Sequence, residues 1–329
     1  SGHAITGVGF QPDWVWIKSR SASTEHVLTD SVRGVTKELK SNDNGEEETE
    51  AQGLTAFGTD GFTVGSDSSF NTNSATYVSW NWKAGTTGSG TTTGSGTAKA
   101  YSYSVSTTAG FSIVKWTGNG TAGHQIPHHL GVKPEIIIPK RLENAADWLI
   151  GCEYLDPSIP WQKFIKLNTT DAVGDGDSYN DAVPTSSVFT VGDTGALNAN
   201  DETYVAYCFA SKTGYSKIGS YEGNSNGDGA FIYTGFKPTF VMIKNIDGTE
   251  NWHIFDSKRG GPVAGVFGNP NKYFVQPNTT NTESNETLDF YSNGFKPRIT
   301  NAFLNGNTLI YMAFGQSLVG SNNVPCTAR

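Results

Sequence analysis

The sequence predicts an all-β protein made of three tandem antiparallel β-sandwich domains, of the jelly-roll or concanavalin-like kind. One block, Gly-apolar-x-Pro followed by an apolar run and Lys, occurs at residues 9–18, 131–140 and 235–244. Short runs of Trp, Tyr, Phe, Thr and Val are bounded by Gly, Asn, Asp and Pro, as is typical of strands and turns. The best helical segment, residues 28–39, is interrupted by Gly34 and β-branched residues, so we expect short helical turns at most.

The interval between copies of this block indicates whole domains. The block recurs after 122 residues (131 − 9) and again after 104 residues (235 − 131). Such intervals exceed the short repeats of solenoids and match the usual size of a domain. A catalytic site is needed only once, whereas a repeated feature is more often a scaffold or a surface. The sequence therefore indicates function only indirectly.

Three further landmarks follow the block in the same order. Asp-Ser-x-Arg-Gly is present in the first and third copies, and the second copy has a degraded version at residues 150–154. A Gly-Phe-Thr-like turn and an Asn-rich turn before an aromatic strand complete each copy. The Gly-Phe-Thr-like turns lie at residues 61–65, 188–192 and 294–296, and the aromatic strands at 77–82, 204–209 and 309–314.

These landmarks define the predicted domain boundaries: repeat 1 at residues 1–85, repeat 2 at 99–213, repeat 3 at 214–318, and a C-terminal tail at 319–329. Residues 86–98 contain Gly, Ser and Thr almost exclusively and are predicted to be a flexible linker. We therefore expect domain one to be tethered, and domains two and three, which are joined by a short connection, to pack rigidly.

The first copy lacks strands that introduce the other two. Repeat 2 is preceded by residues 110–120 and repeat 3 by residues 216–224, while the first copy begins at a segment that matches residues 123–126. We expect that residues precede Ser1 in the native protein, or that another chain supplies the missing strand.

Composition weighs against several functional classes. The net charge of −8 without a basic patch argues against nucleic-acid binding. The acidic run at residues 46–50 is interpreted as a solvated loop, with a calcium site as the alternative. No apolar stretch reaches membrane-spanning length, and no signal peptide is visible, so membrane insertion is not expected.

Three cysteines cannot all pair within one chain. Cys208 lies in an aromatic strand and is interpreted as a buried free thiol, with a Cys152–Cys208 disulfide as the alternative. Cys326 is left without an assigned role. The low cysteine content favours assembly in a reducing cytoplasm.

No motif indicates catalysis, a cofactor or a resident metal. His124, His128 and His129 lack a third ligand at metal-binding spacing, so a solvated or capping role is favoured over a metal site. Nucleophile elbows, phosphate loops and dinucleotide fingerprints are absent from the sequence. The carboxylates that could form a glycosidase pair, Asp147, Glu153 and Asp156, are not singled out by any motif, so the chain is predicted not to be an enzyme.

Six residues stand out as candidate contact sites. Asp30 with Arg33, and Asp256 with Arg259, recur at the same spacing, and we interpret each pair as bracing a turn or contacting a partner. Trp148 and Trp252 occupy equivalent places in repeats 2 and 3 and are interpreted as core residues or as ligand or subunit contacts.

The complete set of landmarks resembles a repeated domain of bacteriophage virion proteins, found in marine and cyanobacterial phages and described as tail-fibre or structural proteins. The resemblance covers residues 7–85 and 110–318. It carries no residue-level functional assignment. The second copy departs from the pattern by losing Asp-Ser-x-Arg-Gly, and the first copy by lacking its initial strands.

The resemblance implies a virion structural protein, of tail-fibre or capsid-appendage type, that contributes to attachment to the host surface. The expected partners are other virion proteins, further copies of the chain with a trimer favoured, and a host-surface glycan or protein. The expected location is the virion, assembled in the host cytoplasm, and no cofactor is expected. The alternatives are a stand-alone lectin-like carbohydrate-binding array and, less favoured, a polysaccharide depolymerase.

Overall fold

The protein is all-β, with antiparallel sheets joined by short helical turns, as the sequence predicts. The computed structural model describes residues 2–259 and 269–316. Across these residues, two sheets have eight strands, one has five and two have three. Cys326 and the predicted tail at residues 319–329 lie outside the described residues.

The first repeat contributes eight strands and one helical turn, α1, whose N-terminus is capped by the Asp67 side chain. The elements are β1 (His3–Thr6), β2 (Trp14–Ser19), β3 (His26–Asp30), β4 (Lys37–Lys40), β5 (Glu48–Thr49), β6 (Leu54–Gly58), β7 (Gly61–Val64), α1 (Ser68–Asn71) and β8 (Tyr77–Trp82).

The segment from residue 86 to residue 210 contributes eleven strands, one 3₁₀ turn and one helical turn. The elements are β9 (Thr86–Thr91), β10 (Thr93–Gly94), β11 (Ala100–Ser106), β12 (Phe111–Thr117), β13 (His124–Pro127), β14 (Ile136–Arg141), β15 (Leu149–Cys152), η1 (Pro160–Gln162), β16 (Lys163–Lys166), β17 (Gly174–Asp175), β18 (Val188–Val191), α2 (Gly195–Asn198) and β19 (Thr203–Phe209).

The remaining described chain contributes eight strands and one helical turn. The elements are β20 (Ser216–Glu222), β21 (Ile232–Tyr233), β22 (Lys237–Asn245), β23 (His253–Asp256), β24 (Asn271–Val275), β25 (Ser284–Tyr291), β26 (Gly294–Pro297), α3 (Ala302–Asn305) and β27 (Thr308–Gln316).

The same antiparallel pairing recurs around each repeated block. The strand that contains the block pairs on one side with the following hairpin strand and on the other with the aromatic strand. These triplets are β3-β2-β8, β15-β14-β19 and β23-β22-β27. The sequence match between the first residues of the chain and residues 123–126 also has a structural counterpart, because β1 pairs with β7 as β13 pairs with β18.

Strand β2 shows why both of its faces are apolar. Val15 and Ile17 point into a cluster with Leu54, Phe62 and other apolar side chains. Neighbouring residues point to opposite faces of a strand, and all six residues of β2 are buried. This strand is therefore covered on both sides.

The chain divides into two compact units, and the division corrects the predicted tether. Among the described residues, the first unit comprises residues 2–169, 174–210 and 278–282, so it contains repeat 1 and nearly all of repeat 2. The second unit comprises residues 170–173, 211–259, 269–277 and 283–316. Domain one is not a separate tethered body, because its strands share a unit with those of repeat 2.

The predicted flexible linker at residues 86–98 is also wrong. Its first six residues form β9, which pairs along its whole length with β11. Residues Thr93 and Gly94 form β10 and pair with β13. Composition alone suggested a linker because Gly, Ser and Thr supply no core, but here the backbone ladder and neighbouring tyrosine rings order the segment.

Candidate functional site

The first Asp-Ser-x-Arg-Gly motif forms a buried ionic centre on the turn after β3. Arg33 Nε lies 2.5 Å from Asp30 Oδ2, and both side chains are fully buried. The other Asp30 oxygen accepts the backbone N–H groups of Val32 and Arg33 at 3.0 and 2.9 Å. The Arg33 guanidinium also donates to Leu28 O at 2.9 Å and to Glu47 Oε2 at 3.2 Å.

This centre also joins repeat 1 to repeat 2 through Tyr207 on β19. The Tyr207 hydroxyl donates to Asp30 Oδ2 at 2.8 Å and accepts from the Arg33 guanidinium at 3.3 Å. The ring of Tyr207 stacks on Trp14 of β2 with centroids 4.2 Å apart. The motif therefore braces its own turn and contacts a neighbouring repeat with the same atoms.

Electrostatics keep this centre charged despite burial. Burial alone disfavours the Arg33 cation, but the carboxylates of Asp30 and Glu47 and the hydrogen bond to Asp30 more than compensate, so the pKa of Arg33 is raised. Burial raises the pKa of Tyr207 well above its ordinary value, so its hydroxyl remains a proton donor. The arrangement is a closed hydrogen-bond network suited to holding two chain segments together.

The third repeat builds the same centre with the same geometry. Arg259 Nε lies 2.6 Å from Asp256 Oδ2, and its terminal nitrogens donate to Ile254 O at 2.7 Å and to Glu283 Oε2 at 3.3 Å. Asp256 Oδ1 accepts the backbone N–H groups of Lys258 and Arg259, each at 3.0 Å. The second repeat has buried Cys152 at the Asp position and buried Leu155 at the Arg position.

Trp148 and Trp252 do not lie where a ligand could reach them. Their exposed fractions are 0% and 1%. Trp148 Nε1 donates to Lys40 O at 3.0 Å, which links repeat 2 to repeat 1. Both rings are core residues, as one of the two interpretations expected. The ligand-contact alternative is wrong, because a sugar ring cannot stack on a fully enclosed indole.

The lysine that ends each repeated block is buried, a feature to which sequence analysis gave no role. Burial lowers the pKa of each of these lysines to about 8, against partial compensation by nearby carboxylates. Each Nζ donates to backbone carbonyls. The contacts are Lys18 to Ala22, Thr24 and Thr280, Lys140 to Asn44 and Ala146, and Lys244 to Thr170, Asn245 and Gly248.

The three clustered histidines have different environments. His124 is buried between Asn198 Oδ1 at 2.9 Å and Thr92 Oγ1 at 2.6 Å. His128 is buried beside a backbone carbonyl at 3.2 Å, and only His129 is half-exposed. The expectation was a solvated or capping role, and the solvated part is wrong for His124 and His128 because both are buried. His128 Nδ1 accepts the backbone N–H of Leu130 at 3.2 Å, as a capping role requires. No group of three or more His, Cys, Asp or Glu residues that could hold a metal ion occurs among the described residues.

The carboxylates considered for glycoside hydrolysis are engaged in local contacts. Glu153 lies 2.7 Å from Lys133 Nζ and accepts Trp161 Nε1 at 2.8 Å. Asp147 lies 3.0 Å from Lys166 Nζ. Asp156 accepts the backbone N–H groups of the turn that follows it. Each of the three carboxylates therefore stabilises local structure through these contacts.

The acidic run at residues 46–50 is only partly solvated. Glu47 has a 15% exposed side chain and reaches both Arg33 and Lys37, the latter at 3.6 Å. Glu48 lies 2.6 Å from Lys40 Nζ. The run therefore supplies one carboxylate to the buried centre.

The comparisons with known proteins give a family. Residues 1–317 match a family described as a domain of unknown function (DUF7483). The chain belongs to the DUF7483 family. The matched range spans all three copies of the repeated block, and no curated protein and no solved structure matches this DUF7483 chain. No helix within residues 2–259 and 269–316 is long and apolar enough to cross a membrane.

Buried histidines predict a loss of stability in mild acid. Burial lowers the pKa of His128 to about 4 and that of His253 to about 3. In the unfolded chain the pKa of each histidine is near its ordinary value of 6.5. Below pH 6.5 the unfolded chain therefore binds more protons than the folded chain, and the free energy of unfolding falls as the pH drops. Burial raises the pKa of Glu38 to about 7, which offsets part of this loss.

Urea unfolding at neutral and mildly acidic pH measures this effect. The double variant His128→Gln/His253→Gln is expected to show a smaller difference between the two pH values than the wild type. His3→Gln changes an exposed histidine and should retain the wild-type difference. An unchanged difference in the double variant would contradict the assignment.

Cys152 and Cys208 are buried free thiols, so the free-thiol prediction for Cys208 is confirmed and the disulfide alternative is wrong. Burial raises the pKa of Cys152 to about 12 and that of Cys208 further. We expect neither residue to react with iodoacetamide in the native protein and both to react after denaturation. Peptide mass spectrometry measures the extent of labelling at each cysteine. Rapid labelling of Cys152 or Cys208 in the native protein would contradict their burial.

Proposed function

We propose that this chain is a structural subunit of a bacteriophage particle, of tail-fibre or capsid-appendage type, that contributes to attachment to the host surface. The resemblance of its repeated landmarks to phage virion domains motivates the proposal. The observation that carries it is the ionic centre of Asp30, Arg33 and Tyr207, which uses the most chemically distinctive repeated motif to join two repeats. That use supports a role in architecture rather than catalysis.

The proposal includes a finer architecture of three β-sandwich copies. Its support is the recurrence of one strand triplet around each block and of one ionic centre in repeats 1 and 3. A chain assembled from such copies has a large buried aromatic content, which suits a particle component that must persist outside the cell.

The proposed location is the virion, with assembly in the host cytoplasm. The proposed partners are other virion proteins and further copies of the chain, with neither nucleic-acid binding nor membrane insertion. The net charge of −8 supports the exclusion of nucleic acid, since phosphate binding requires clustered cations.

A half-exposed aromatic group supports contact with a host glycan. Tyr103 stacks on His129 with centroids 3.7 Å apart, and the Tyr101 hydroxyl lies 2.9 Å from His129 Nε2. Aromatic faces bordered by hydroxyl and imidazole groups provide both apolar contact and hydrogen bonds, the combination that sugar recognition uses. Among the described residues, this group fits a glycan better than the buried Trp148 and Trp252 do.

Glycan binding is tested by screening the full chain on an array of bacterial surface polysaccharides. Tyr103→Ala should abolish any signal, while Tyr273→Ala, at a tyrosine that is 36% exposed, should preserve it. Sugar binding by a protein that never associates with particles would favour the lectin-like alternative. Loss of polymer viscosity on incubation would favour the depolymerase alternative and contradict a purely structural role.

Immunogold labelling of purified phage particles tests the central proposal. Antibodies against the full chain are expected to label a tail or capsid projection. Detection of the protein only in the soluble fraction of infected cells, with unlabelled particles, would contradict the proposal.

A further inference from the structure

Strand β9 forms an unusually unprotected sheet edge in the first unit. It is the last strand of an eight-stranded sheet, in which its described neighbour is β11 on one side. Five of its six residues are exposed. A sheet edge offers unpaired backbone N–H and C=O groups, and proteins usually protect it with charge, proline, a bulge or a short length.

Strand β9 has none of these protections. Its sequence, TTGSGT, contains neither charge nor proline, and its pairing with β11 runs from Thr86 to Thr91 without a register shift. The other described terminal strands differ. Four have two residues each (β5, β10, β17 and β21), and β1 and β18 have four. Strand β6 has a bulge, β20 carries Lys217 and Glu222, and β8, which also has six residues, has none that is exposed. The edge of β9 is therefore exposed, regular and six residues long, so it is open to backbone pairing with another strand.

The sequence of this edge is symmetric about Ser89. Residues 86–92 read TTGSGTT, which is the same in both directions. In an antiparallel pair of two such segments centred on Ser89, Ser faces Ser, Gly faces Gly and Thr faces Thr. A two-fold axis through Ser89 pairs each residue with the one equally far on the other side of Ser89 in the second copy, and the symmetric sequence makes the two residues of every pair the same type. Directly opposed Thr and Ser side chains stabilise antiparallel strands.

The glycines of β9 are explained by the tyrosines of β11. A Cβ at Gly88 would lie 2.6 Å from the Tyr103 hydroxyl, and one at Gly90 would lie 2.9 Å from the Tyr101 hydroxyl. Aromatic rings that cover edge glycines stabilise a strand and fix its register. Pairing with β11 therefore fixes the position of β9, and the backbone groups on the side of β9 away from β11 face the open edge of the sheet.

We propose that β9 pairs antiparallel with β9 of a second copy of this chain, with Ser89 opposite Ser89 on a two-fold axis. Two eight-stranded sheets then continue into one sheet of sixteen strands (8 + 8). The contact produces even numbers of copies, so a trimer that uses it becomes a hexamer. It depends on the edge of β9 and not on the proposed role in a phage particle.

Light scattering of the full chain with charged variants at Ser89 tests this pairing. The wild type should have the mass of two chains or a higher even number. Ser89→Lys and Ser89→Glu should each halve that mass, because like charges then meet at the axis. An equimolar mixture of the two variants should restore the wild-type mass, because each Lys then faces a Glu.

The restoration distinguishes pairing at this register from damage to the fold. Tryptophan fluorescence of both folded variants should remain at the wild-type value, since residue 89 is exposed. A wild-type mass of one or three chains would overturn the proposal. So would charged variants that retain the wild-type mass, or a mixture that stays at half of it.

Discussion

Replacing Arg33 with Ala is expected to destabilise the protein by about 3–5 kcal/mol, the usual effect of removing one member of a buried ion pair. The guanidinium donates to Asp30, Leu28 O and Glu47, all within 3.2 Å. Its removal leaves the Asp30 carboxylate buried without its cation. Urea unfolding followed by tryptophan fluorescence measures the change.

Two further variants separate the network from a general loss of charge. Arg33→Lys should restore little stability, since an ammonium cannot match the several directions in which the guanidinium donates. Lys163→Met removes the cation of an exposed pair, in which Asp175 is 74% exposed, and should change stability far less. An Arg33→Ala effect no larger than that of Lys163→Met would contradict the network's proposed role.

The second large effect is expected at Trp14, where the two repeats of the first unit meet. The Trp14 ring is fully buried and lies 4.2 Å from Tyr207, 4.5 Å from Trp82 and 5.8 Å from Phe111, measured between ring centroids. Trp14→Ala should cost about 3–5 kcal/mol because it removes a large buried ring and leaves a cavity.

A double-mutant cycle shows whether this contact couples repeat 1 to repeat 2. Trp14→Ala and Tyr207→Ala should be non-additive, with a coupling energy of about 0.5–3 kcal/mol, as expected for side chains in direct contact. Trp14→Ala combined with Ile232→Ala provides an additive control, because Ile232 belongs to the separate core of the second unit. Additivity of the Trp14 and Tyr207 effects would contradict the coupling.

The fold class and the recurring strands were predictable because their signals are local. Apolar runs ending in Lys formed β2, β14 and β22, and the aromatic runs formed their partners. The same reasoning gave a wrong prediction for residues 86–98, because composition indicates only whether a segment can form a hydrophobic core. Composition does not indicate whether a neighbouring strand, here β11, is available for backbone hydrogen bonding.

The ionic centres were only half predictable. The Asp30–Arg33 and Asp256–Arg259 pairs are three residues apart and visible in the sequence. Their third members are not, because Glu47 follows Arg33 by 14 residues and Glu283 follows Arg259 by 24, so no common spacing marks them. Tyr207 joins from another repeat, and only the three-dimensional structure brings it there.

Hydrogen exchange with mass spectrometry, in increasing denaturant, tests most directly the claim that repeats 1 and 2 form one structural unit. Amides of β2 in repeat 1 and β14 in repeat 2 should merge into a single opening transition with the same free energy, because the Arg33 centre and the Trp14 contacts join them. Exchange of β2 at a distinctly lower free energy, with β14 still protected, would show two independent domains and contradict the account.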